Sequence, residues 1–68
     1  MKAVSGKELA KLAKRKGWLL ARIHGSHHVF RKEGRTERLV IPIHGKKTLK
    51  GGLQRSLMKL IPVEEDEF

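Results

Sequence analysis

Along the first part of the chain the apolar positions keep a helical repeat. Leu9, Leu12 and Ala13 share a stripe continued by Lys16, with Lys7, Lys11, Lys14 and Arg15 opposite. Ser5 stands where an N-cap belongs, Glu8 follows three residues later to complete a capping-box pattern, and Val4 and Leu9 hold the two positions of a hydrophobic staple. Gly17 supplies a left-handed stop. Together these signals predict a helix over 5–16.

The pattern then changes. Residues 18–24, rich in Leu, Ile and Trp and bounded by Gly17 and Gly25, predict a strand. Gly25-Ser26 offers a tight turn into a second strand over 27–32, with His28 and Phe30 on one face and His27, Val29 and Arg31 on the other. A turn over 33–36 leads to a third strand over 39–43, where Pro42 lacks a donor and so marks an edge strand or a strand end. After the basic loop His44-Gly45-Lys46-Lys47, a second helix begins near Thr48 or Lys50, with apolar positions Leu53, Leu57, Leu60 and Ile61. Gly51-Gly52 blurs its start, and Pro62 ends it. The predicted fold is α+β, in the order α-β-β-β-α. Consecutive hairpins make the sheet antiparallel, and two amphipathic helices cover one face of it, leaving the other to solvent or ligand. No internal repeat or linker interrupts residues 1–63, read as one domain, and 64–68 is an acidic tail expected to be mobile.

Charge changes the picture more than length does. The formal net charge is +9, but four of the acids are Glu64, Glu65, Asp66 and Glu67, so over residues 1–63 the 16 Lys and Arg face 3 acids and leave +13. Such a body attracts a polyanion, and nucleic acid fits better than membrane because neither helix joins a broad apolar face to basic flanks. A merely soluble basic surface is the plainer alternative. A chain of 68 residues has room for one core of thin margin, and without cysteine it has neither disulfides nor a thiolate metal site. The first residues lack the apolar centre of a signal peptide and no run approaches membrane-spanning length, so a soluble, cytoplasmic protein is expected.

Four histidines are present, three of them at His24, His27 and His28. A metal is not expected, since no carboxylate or cysteine stands near them and His27 and His28 point to opposite faces of a regular strand; no cofactor is implied. A Ser26–His27 nucleophilic pair lacks an orienting acid, and a hydroxyl in a Gly-Ser turn more often serves the turn. Acid–base chemistry on RNA asks for less: a base to take the proton of a ribose 2′-OH, and cations to stabilise the phosphorane. His27 is the candidate, just after Gly25 and Ser26, where backbone can approach a phosphate. A surface histidine without function is the alternative. Lys46 and Lys47 either grip phosphate or are simply solvated. Arg22, Arg31 and Arg38, where they share the open face, would form a groove that positions RNA without reading bases. Phe30 and Trp18 could stack on bases, with core packing favoured for Phe30. His28 reads as a partly buried structural residue, and His44 as either a turn residue or a second active-site residue.

Gly25-Ser26-His27-His28-Val29-Phe30, preceded by Gly17-Trp18 and followed by Val40-Ile41-Pro42-Ile43-His44-Gly45-Lys46-Lys47, closely resembles the HicA family of toxin ribonucleases. The likeness runs from about residue 5 to 61, in order and spacing. It implies a double-stranded-RNA-binding-domain-like fold and cleavage of messenger RNA without a metal. It also implies a catalytic histidine at His27 rather than His28, and a HicB-type antitoxin as protein partner. The chain departs from the family at Lys50-Gly51-Gly52-Leu53, where a Pro-Gly-Thr-like step is common, and in its acidic ending.

Overall fold

The computed structural model describes residues 3–61. It comprises α1 (Gly6–Arg15), β1 (Leu19–His24), β2 (His27–Arg31), β3 (Leu39–Pro42) and α2 (Gly51–Leu60). The expected α-β-β-β-α order and α+β class are therefore observed, while the Pro62 stop and the acidic tail at 64–68 lie outside the described residues.

Local chemistry fixes both ends of α1. The Glu8 amide donates to Ser5 Oγ at 3.2 Å and the Ser5 amide donates to Glu8 Oε1 at 3.1 Å, so the capping box is formed in both directions. At the other end Gly17 has φ 99°, and the amides of Gly17 and Trp18 donate to the carbonyls of Lys14 and Ala13. That is a Schellman closure, which a side chain with a Cβ would strain. The staple residues Val4 and Leu9 are both in the core.

The strands form one antiparallel sheet in the order β1-β2-β3. Phe30 pairs with Leu20 on one side and Leu39 on the other, and His28 pairs with Ile23 and Ile41, so these residues share the face that meets the helices. Phe30, Leu39 and Ile41 join Leu9, Leu12, Ala13, Leu57 and Ile61 in a single core. The register slips between Leu20 and Arg22, leaving Ala21 as an extra residue in β1, an edge strand whose six residues are all exposed. A bulge of this kind twists an edge away from pairing with another chain. Pro42 is the last residue of β3, the opposite edge, so its missing donor interrupts no ladder.

Two expectations need correction. Trp18 precedes β1 and is 0% exposed in the core, so it offers no face to a base; the Arg35 guanidinium lies 5.8 Å above its ring. Leu53 is 38% exposed, and the neighbouring Gln54 is buried instead, at 2%. The cause is a demand from the N-terminal segment: the Val4 amide, buried, donates to Gln54 Oε1 at 3.1 Å. The same segment pairs with the loop before α2 through a Leu49 amide to Val4 carbonyl bond of 2.8 Å and a Ser5–Thr48 bridge. The start of α2, open between Thr48 and Lys50 on sequence grounds, falls after an N-cap Lys50 that gives no side-chain hydrogen bond. Gly6 shows a further constraint, since a Cβ there would overlap the Pro42 carbonyl oxygen. Helix and edge strand approach that closely only because residue 6 is glycine.

Candidate active site

Two tight features bring the sequence candidates to one end of the sheet. His24 and His27 are paired across β1 and β2, so Gly25-Ser26 is the whole of the hairpin turn, with Gly25 at φ 61°. The Ile43 amide then donates to the Ser26 carbonyl at 2.8 Å, which fastens the end of β3 to that turn. His27 pairs with Pro42 on its other side, and His44 follows two residues later. Gly25, Ser26, His27 and His44 are thus gathered at one rim. A second turn, closed by the Lys47 amide on the His44 carbonyl at 3.0 Å with Gly45 at φ 58°, carries Lys46 and Lys47.

His27 is exposed at the mouth of β2, on the face away from the helices, as the alternation with buried Phe30 requires. His28 faces the other way and is half-buried, with a buried Nδ1 that has no hydrogen-bond partner among the described residues. Sequence alternation separates these two neighbours correctly. Pro42, His44, Lys47 and Leu53 help to line a pocket of about 300 Å³ beside β3. Lys46 is exposed and lines neither this pocket nor the next.

Farther along the same open face, Arg22, Arg31 and Arg38 line a shallow pocket of about 240 Å³ together with Ala21 and Val29. Arg22 reaches it because the bulge at Ala21 sets it opposite Val29. Among the described residues no carboxylate lines this pocket, so three guanidinium groups converge without a counter-charge. An anion would relieve that repulsion and accept their hydrogen bonds. Arg31 is four residues beyond His27 on β2, which at the usual strand rise sets their Cα atoms about 13 Å apart. The acids among the described residues are elsewhere: Glu8 serves the α1 cap, while Glu33 and Glu37 lie between β2 and β3 at the far end of the sheet. There Glu37 is held below the usual carboxylate range, first by a backbone hydrogen bond and then by Arg35, whose Nε is 3.1 Å away.

One residue of this rim is not singled out by the sequence except as a possible metal ligand. It is His24, although the two residues flanking a two-residue hairpin turn must stand side by side on one face. Among the described residues no group of three or more His, Cys, Asp or Glu side chains is placed to hold a metal ion, and no helix is long and apolar enough to cross a membrane.

Comparison with known proteins bears on this arrangement. No curated protein matches the chain. The family described as HicA toxin of bacterial toxin-antitoxin matches residues 6–61, from the first residue of α1 to the cap of α2. The match takes in every element and the whole histidine rim, and the chain belongs to the HicA toxin family of bacterial toxin–antitoxin systems.

Proposed function

We propose that this toxin is a metal-independent endoribonuclease that cleaves messenger RNA, with His27 as general acid or base. The observation that carries the reading is an exposed histidine at a strand mouth on the sheet face that also bears Arg22, Arg31 and Arg38. The arginines, with Lys46 and Lys47 on the adjoining loop, attract the RNA backbone and hold it by phosphate contacts. Gly25 and Ser26 let the chain approach the scissile phosphate closely. The RNA supplies its own nucleophile: the 2′-OH attacks the adjacent phosphorus as an imidazole manages its proton. His44, on the same rim, is a candidate second active-site residue. A HicB-type antitoxin presenting acidic groups would be complementary to this face and would cover His27. The reaction and its partners fit a cytoplasmic setting.

The second reading is a module that holds duplex RNA without cutting it. It is favoured by the lack, among the described residues, of any carboxylate oriented toward His27, and it needs only the basic face. Incubating the purified chain with RNA, with and without EDTA, separates the two. Fragments ending in a 2′,3′-cyclic phosphate in both samples are the expected result. Cleavage that vanishes with EDTA and returns with a divalent ion would overturn the metal-free route, and tight binding with no fragments would favour the binding module.

A further inference from the structure

His24 has no role in the scheme above, yet the hairpin sets it directly across from His27. Partners in an antiparallel pair project to the same face, with Cβ atoms about 4.5–5.5 Å apart. Both residues are exposed, so both rings are open to solvent and to a ligand. Among the described residues the charged groups sharing this face are cationic: Arg22 on β1, Arg31 on β2 and Arg38 just before β3. Val40 and Pro42, the residues of β3 on this face, carry no charge, and the adjoining loop adds His44, Lys46 and Lys47.

Cleavage of RNA by its own 2′-OH needs two proton transfers. The 2′ oxygen loses its proton as it bonds to phosphorus. The P–O5′ bond then breaks, its electron pair goes to O5′, and that oxygen takes up a proton to leave a 5′-OH beside a 2′,3′-cyclic phosphate. In an in-line displacement the two oxygens lie on opposite sides of the phosphorus, so one fixed imidazole cannot serve both. Two imidazoles a few ångströms apart can. Histidine is also the side chain that ordinarily both gives and takes a proton near neutral pH.

We propose that His24 is the second proton-transfer group of this site, serving the step that His27 does not, so that the imidazoles closing the hairpin straddle the scissile phosphate. The proposal rests on the ribonuclease reading and adds a residue to it. It also explains how His27 acts without an orienting acid: its working partner is the other histidine.

The test compares the parent, His24→Ala and His27→Ala on an RNA dinucleotide and on uridine 3′-(4-nitrophenyl phosphate), whose nitrophenolate departs without a proton. Circular dichroism melts check that each variant is folded. On the dinucleotide each variant should lose about 10²–10⁴-fold in rate. On the nitrophenyl ester one of the two, the variant lacking the acid, should return to near the parental rate while the other stays slow. The bell-shaped pH dependence of kcat/KM in the parent should lose one limb in His24→Ala. A folded His24→Ala chain that cuts the dinucleotide at the parental rate would overturn the proposal, as would recovery of both variants or of neither on the ester. If the parent itself leaves RNA intact, the ribonuclease reading fails and the histidine pair falls with it. That outcome is distinct from an active parent indifferent to His24.

Discussion

On one face of the sheet Phe30, Leu39 and Ile41 are at most 1% exposed beneath the helices, while on the other Arg22, His27 and Arg31 stand in solvent. The backbone between them is shared, so alternation alone assigns each residue of β2 to the core face or to the open face. His27 and His28 are adjacent, identical in type and opposite in circumstance. One is exposed at a hairpin turn, and the other lines the edge of the core with a buried ring nitrogen that has no hydrogen-bond partner among the described residues. A slip of one residue in pairing would exchange the two sets, and the buried face resists it because Phe30 would have to leave the core. The hydrophobic side of the sheet thereby fixes the geometry of the polar side.

The sharpest test of this division is His27→Ala, which should lower RNA cleavage by about 10²–10⁴-fold and leave the denaturant midpoint unchanged. A parental rate would break the assignment of chemistry to the open face. Phe30→Ala is its mirror image on the same strand. It should cost about 3–5 kcal/mol in urea unfolding, enough to leave so small a domain largely unfolded, and parental stability would show that the core is not centred where the burial places it. Converting Arg22, Arg31 and Arg38 together to Gln should preserve the fold and flatten the dependence of log K on log salt for single-stranded RNA. The slope should change by about 0.7 for each phosphate that is no longer neutralised, and an unaltered slope would mean that the arginine pocket holds no phosphate. The smallest effect is expected at His28→Leu. Replacing a half-buried ring, whose Nδ1 has no partner among the described residues, by an apolar side chain of similar size should raise stability by about 1 kcal/mol, with cleavage unaffected; a fall in stability would show that His28 has a partner in solution.

What can be read from sequence follows the range of the forces involved. Ser5, Glu8 and Gly17 act within a turn or two of themselves, so α1 is legible nearly to the residue, as is the Gly25-Ser26 hairpin. The extra residue at Ala21 is not, because nothing in Leu19-Leu20-Ala21-Arg22 distinguishes a bulged strand from a regular one. Gln54 is hidden for a different reason: its burial answers a backbone amide 50 residues away, while Leu53 beside it looks the better core residue on periodicity alone. Gly6 draws no attention because its role is to make room for the Pro42 carbonyl, a tertiary constraint with no local mark. For the site, alternation places His27 outward, and the resemblance to a toxin family singles it out. The arginines are expected on the strands, but Arg38 falls just before β3, and the place of Arg22 beside the others depends on the bulge. His24 is within reach, since a two-residue turn specifies which residues face each other across it.

The clasp between Val4 and Gln54 bears on how the chain folds. The sheet closes through two short connections and can form from local contacts, whereas the Val4–Gln54 and Val4–Leu49 bonds join the two ends of the domain and close a loop of nearly its full length. The entropic cost of that closure is lower once the sheet has already drawn the ends together, so the clasp is expected to form on the native side of the folding barrier. Interactions formed after the barrier govern how fast a protein comes apart and hardly affect how fast it assembles. In a chevron plot, loosening the clasp at Gln54 is expected to leave the refolding limb in place and raise the unfolding limb, shortening the lifetime of the folded toxin.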